Sequence, residues 1–108
     1  MNLNLNINKK FEEYLYGKGP AMDGVQYIFK FPNLYGASVI KHSGSYGHLD
    51  DLWELAVVIF TDGDWDLTYN TDITDDVEGR LTDEAVNALL ERIMNLNEFG
   101  KETEDETE

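Results

Sequence analysis

The run from Trp53 to Asp76, WELAVVIFTDGDWDLTYNTDITDD, constrains the fold of this chain more than any other stretch. Leu55 to Phe60 is apolar at every position, the pattern of a central strand covered on both faces. Asp62-Gly63 is a strong two-residue hairpin signal, because both residues tolerate the positive φ such a turn requires. If the turn forms there, Thr61 faces Asp64, Phe60 meets Trp65, Val58 meets Leu67 and Ala56 meets Tyr69. The last three pairs are wholly apolar and share one face, and a slip of one residue would scramble them. The opposite face pairs Ile59 with Asp66, Val57 with Thr68 and Leu55 with Asn70. Trp65, Leu67 and Tyr69 are therefore expected in the core, with Asp64 and Asp66 turned outward.

The rest of the chain supplies partners for this hairpin. Val25–Phe31 (VQYIFKF) reads as a strand with Val25, Tyr27, Phe29 and Phe31 on one face. Pro32 to Gly36 reads as a turn, with Asn33 and Gly36 suited to positive φ, and ASVIK (37–41) returns as an antiparallel strand. HSGSYGHLDD (42–51) reads as a polar loop, and TDITDDVEG (71–79) as another. Thr82 is a good helix N-cap, followed by Asp83 and Glu84 in the first turn. Leu81 and Val86 occupy hydrophobic-staple positions, and Val86, Leu89, Leu90, Ile93 and Leu96 form an apolar stripe. Gly100 is the expected stop. The fold class read from this pattern is α+β: an antiparallel sheet of about four strands with a C-terminal helix packed on one face.

The ends are less regular. In residues 2–8, Leu3, Leu5 and Ile7 alternate with Asn, as in an edge strand or a mobile arm. Phe11, Tyr14 and Leu15 have helical spacing, and Gly17, Gly19 and Pro20 are expected to end that short helix. The expected division is an arm with a short helix over 1–24, one domain over 25–100, and a disordered acidic tail over 101–108.

The net charge is −14, carried by 22 acids against eight bases in 108 residues. It disfavours direct contact with nucleic acid or an anionic membrane and favours basic partners. The acidity begins abruptly at Asp50: residues 1–49 hold three acids, and residues 50–84 hold twelve. With no cysteine, a disulfide framework and a thiolate metal site are excluded. No apolar run approaches the ~20 residues of a bilayer span, and the N-terminus lacks signal-peptide character, so a soluble, cytoplasmic chain is expected.

Motifs for chemistry are sparse. Asp62, Asp64 and Asp66 match the start of a calcium loop, but Leu67 and Ile73 stand where Gly and Glu are needed, so a charged turn is expected. His42 and His48, with Asp50 and Asp51 nearby, offer a metal-site reading against an ordinary polar loop. Ser43 and Ser45 lie beside His42 without a nucleophile elbow. No phosphate-binding glycine fingerprint is present, and no cofactor is expected. The acids Asp50, Asp51, Asp62, Asp64, Asp66, Asp72, Asp75, Asp76 and Glu78 are the candidate partner-binding residues. Along a strand, every second carboxylate points the same way at a spacing of about 6.7 Å, of the order of successive phosphates. Tyr35, Tyr46, Trp53 and Trp65 are candidate aromatic anchors.

YGASVI (35–40), HSGSYG (42–47), LWELAV (52–57) and LTYNTDITDDV (67–77), followed by Leu81-Thr82-Asp83-Glu84, resemble a family of small acidic bacteriophage proteins without assigned chemistry. The likeness spans roughly residues 25–96. Together with the net charge and its onset at Asp50, the resemblance implies a non-enzymatic phage protein of the host-cell cytoplasm that binds and inhibits a host protein through its acidic surface, as a DNA mimic toward a nucleoid protein, polymerase, nuclease or defence complex. The alternatives are an accessory interaction module or homodimeric structural phage protein using an apolar sheet face, and a metal-dependent hydrolase using His42, His48 and the aspartates.

Overall fold

The computed structural model describes residues 1–102. Six strands form one antiparallel sheet: β1 Leu15–Ala21, β2 Gly24–Lys30, β3 Tyr35–Lys41, β4 Trp53–Thr61, β5 Asp64–Leu67 and β6 Glu78–Leu81. Their order is β1-β2-β3-β4-β5, with β6 also paired to β4. A single α-helix among the described residues, α1 (Asp83–Met94), packs against β3, β4 and β6. The class is α+β as expected, with six strands in place of about four.

The additional strands are β1 and β6. Gly17, Gly19 and Pro20 do not stop a helix; they lie within an edge strand that pairs along β2, with a bulge between Leu15 and Gly17. Ala21 and Gly24 close this hairpin, so the alternation of ladder bonds turns the Pro20 nitrogen away from β2, where proline removes nothing. Before it, Lys9–Tyr14 forms a 3₁₀ helix with Phe11 fully buried. β6 takes up the end of the expected loop and pairs Leu81 with Trp53 and Glu78 with Leu55.

The β4–β5 register is the one the sequence dictates: Thr61 with Asp64, Ile59 with Asp66, Phe60 with Trp65 and Val58 with Leu67. Asp62 (φ 53°) and Gly63 (φ 82°) give the two consecutive positive φ values of a type I′ turn. The face assignment is reversed. The main core lies on the odd face of β4, where Trp53, Leu55 and Val57 are at most 1% exposed beside Val86, Leu90 and Ile93 of α1. Leu67 and Tyr69 are 47% and 44% exposed and Trp65 is half-buried, so none of the three belongs to that core. An apolar alternation defines two faces but not which one receives the helix, and β4 is apolar on both.

Residues 2–8 form neither strand nor free arm. They run irregularly over the helix side of the sheet and bury Leu5. Tyr27 Oη donates to the Leu3 carbonyl (2.9 Å) and accepts from the Leu5 N–H (3.2 Å). Asn87, buried on α1, accepts from the Asn8 N–H (2.7 Å) and donates to the Asn6 carbonyl (2.8 Å). The Asn-Leu alternation therefore serves this segment too: its apolar side chains face the core, and its backbone is held by polar groups of the sheet and helix.

α1 starts as expected, with Thr82 Oγ1 accepting from the Ala85 N–H (3.1 Å). It ends at Met94, not at Gly100, because Asn33 reaches over from the β2–β3 turn. Asn33 Nδ2 donates among the carbonyls of Ile93, Met94 and Leu96 at 2.9–3.2 Å, and its Oδ1 accepts from the Tyr35 N–H. The positive φ in that turn belongs to Leu34 (74°), not to Asn33 or Gly36. Gly100 (φ 75°) sits in a later turn against Asn70 and Tyr35. Of the expected tail, Lys101 and Glu102 are engaged, since Arg92 makes a two-pronged ion pair with Glu102. Residues 103–108 lie outside the described residues.

Candidate functional site: an acidic sheet edge

β4 has one inner edge, paired with β3, and one outer edge. β5 covers the outer edge from Val58 to Thr61, and β6 covers it from Trp53 to Leu55. The chain leaves the ladder after the Thr68 N–H donates to the Val57 carbonyl (3.0 Å) and returns at Glu78. Asp62, Asp64 and Asp66 come from the first covering segment, and Asp75, Asp76 and Glu78 from the approach to the second. Two acidic groups therefore flank one strand edge that spans about 20 Å from Leu55 to Thr61.

The candidate acids differ in what they touch. Asp62, Asp66, Asp75 and Asp76 are exposed, and among the described residues their carboxylates meet no base. Asp64 Oδ1 accepts from the Trp65 N–H (2.9 Å), which occupies an outward-facing donor of the edge strand. Asp72 is bound up: it accepts from the Glu102 N–H (2.9 Å) and lies 3.8 Å from Lys101 Nζ. Glu78 is half-buried, and with Glu102 and Asp72 it holds the Arg92 guanidinium above its ordinary pKa, the Glu102 hydrogen bond being the largest cause.

Asp50 and Asp51 stand apart from this edge, at the short 3₁₀ turn His48–Asp50. Asp50 is exposed. Asp51 is structural: its Oδ1 accepts from the Asn2 N–H (2.8 Å) and from Lys41 Nζ (3.1 Å). Those contacts, the Asn2 N–H first, hold its carboxyl below the ordinary value. Lys41 is 2% exposed, with Nζ 4.1 Å from the centre of the Trp53 ring and donating to the Asn2 carbonyl (2.8 Å).

The histidine loop is organised by its own backbone. His42 Nδ1 accepts from the Gly44 N–H (2.9 Å), and His48 Nδ1 donates to the Ser45 carbonyl (2.7 Å). Buried Ser45 accepts from the His42 N–H and donates to the His42 carbonyl, which closes the turn. Among the described residues, no three His, Asp or Glu side chains converge as metal ligands. Of the expected aromatic anchors, Trp53 and Tyr35 are core residues and Tyr46 is 64% exposed.

A groove of about 510 Å³ runs between residues 6–8 and α1, lined by Asp83, Glu84, Asn87 and Glu91 among others. Its polar groups mostly serve the fold. Asp83 accepts from Trp53 Nε1 (2.7 Å) and from Asn6 Nδ2 (3.1 Å), and Glu91 pairs with Lys10. Sequence reasoning missed the long-range contacts of Asn33, Lys41 and Asn87, which reach ten to 81 residues along the chain. No local pattern signals such contacts. No described helix is long and apolar enough to cross a membrane. Comparison of the chain with protein-family models, curated proteins and solved structures finds no match.

Proposed function

We propose that this chain is a non-enzymatic binding protein that docks a basic partner on the acidic outer edge of β4. The partner class that fits is a nucleic-acid-binding protein, for which the carboxylates stand in for phosphates, as expected of a phage inhibitor acting in the host cytoplasm. One observation carries this reading: Asp62, Asp66, Asp75 and Asp76 are exposed carboxylates without a neutralising base, on segments that flank a single strand edge. Unpaired charges of one sign raise the encounter rate with an oppositely charged surface, and that advantage falls with ionic strength.

The test is capture from a bacterial lysate on immobilised protein, with mass spectrometry of what is retained at about 50 mM and about 500 mM NaCl. Basic nucleic-acid-binding proteins should be held at low salt and released at high salt. The quadruple variant D62N/D66N/D75N/D76N should lose them while keeping the wild-type melting temperature. Retention of no such protein at low salt overturns the reading, as does equal retention by the variant.

A further inference from the structure

The face of the sheet opposite α1 carries no covering helix or strand among the described residues. Its apolar centre is closed by side chains laid across it. Phe60 lies over Gly36, where a Cβ would stand 3.2 Å from the ring. Tyr16 meets Phe60 edge-on at 5.0 Å, and Lys30 Nζ sits 5.1 Å from the Phe60 centroid and 5.7 Å from that of Tyr16. Around this centre, Tyr16 is 52% and Leu67 47% exposed, and Trp65 is half-buried.

The charge on this face is unlike that of the rest of the molecule. Strand alternation places just two charged residues of β2, β3 and β4 there, Lys30 and Glu54. Lys30 has no acid within ion-pair distance among the described residues, in a chain where acids outnumber bases 22 to eight. Glu54 uses one oxygen to accept from the Tyr46 N–H (2.8 Å) and meets no base. The register fixes where the two stand. Lys30 on β2 is opposite Gly36, Glu54 on β4 is opposite Ile40, and Ser38 on β3 lies midway between Gly36 and Ile40. Lys30 and Glu54 are therefore symmetric about Ser38, about 16 Å apart and too far to pair within one chain.

We propose that this face binds a second copy of the chain as a two-fold dimer. An axis in the plane between two stacked sheets, passing Ser38 and perpendicular to the Lys30–Glu54 diagonal, lays Lys30 of each copy over Glu54 of the other. Both ion pairs then form at once, as an isologous interface requires. Over Gly36, Ser38 and Ala56 the surface is made by Phe60, Tyr16 and Gln26, whose amide donates to Ser38 Oγ (3.0 Å), so a second sheet packs on these side chains. A second copy fits this face because it is charge-balanced, whereas contact through the acidic edge would set like charges against each other. The dimer goes beyond the acidic-edge reading and leaves that edge free on each copy.

Sedimentation velocity from about 5 to about 500 µM, the range suited to a modest interface, tests it. Wild type should shift from monomer to dimer. Lys30→Glu and Glu54→Lys should each weaken the dimer at least about tenfold, and the double swap should restore it to within about threefold. On the unmodified protein, zero-length carbodiimide coupling should join Lys30 to Glu54 in the dimer band. Raising salt from about 50 to about 300 mM should leave the dimer intact or strengthen it by screening repulsion between copies, the reverse of its effect on acidic-edge binding. A monomer at every concentration overturns the proposal. So does a dimer band without the Lys30–Glu54 link, or a well-folded double swap that stays as weak as the single variants.

Discussion

At the scale of residues, the fold depends on a few polar side chains with distant partners. Asn33 is the clearest, because its amide and carbonyl join the β2–β3 turn to the end of α1. Asn33→Ala leaves helix-terminal carbonyls unmet and should cost about 1–3 kcal/mol in urea unfolding, with a wild-type m-value. Its sequence context reads as a turn and nothing more; the partner lies 60 residues on, beyond any local pattern. Asp51 is a second case. Its carboxyl is held low by the Asn2 N–H and then by Lys41, so its contribution is complete above the ordinary carboxylate range and disappears as pH falls through the lowered folded value. Asp23, Glu91 and Glu102 are lowered as well, by Ser43, Lys10 and Arg92 respectively. Acid denaturation should therefore be steep, and Asp51→Asn should lower the melting temperature at pH 7 while flattening its decline below pH 5.

At the scale of elements, the hairpin shows what the sequence discloses and where it stops. Asp62-Gly63 set the turn, and the turn set four pairs of register, all legible from residue type. The extent of pairing was not legible. The expected Ala56–Tyr69 pair gives way to β6 because the chain leaves the ladder after Thr68 and a second segment takes over the lower edge. β1 was hidden for a different reason. Glycine and proline usually end elements, and an edge strand with its proline nitrogen turned outward escapes that rule. Gly36 illustrates a requirement of the element rather than the turn. A Cβ there would stand 1.8 Å from the Phe29 carbonyl oxygen, so Gly36→Ala must move β2 or β3 and should destabilise by about 3 kcal/mol. Thr82→Ala removes the N-cap of α1 and should cost about 1 kcal/mol. Differential scanning calorimetry of the two variants would separate a sheet defect from a frayed helix by their unequal losses.

At the scale of the whole molecule, charge and topology decide behaviour. A net charge of −14 on 108 residues opposes compaction, so the melting temperature should rise between about 10 and 150 mM NaCl and then level off as the Debye length drops below about 10 Å. Titration of the melting temperature with salt checks this, and a flat profile would mean that the acids are dispersed enough not to matter. The candidate acids were legible as residues, but their sorting was not. Composition cannot tell Asp51 and Asp72, tied into the fold, from Asp62, Asp66, Asp75 and Asp76, which face solvent. The outer edge itself is guarded: Asp64 occupies the Trp65 N–H, and Pro20 turns its nitrogen outward on β1, so addition of a foreign strand is discouraged at both ends of the sheet. The Asn33 contact also bears on synthesis. A ribosome delivers the cap some 60 residues before the carbonyls it must meet, so α1 cannot be sealed until all six strands have emerged. Truncated nascent chains should stay protease-sensitive until residues beyond Leu96 clear the exit tunnel, and the molecule should then become resistant in a single late step.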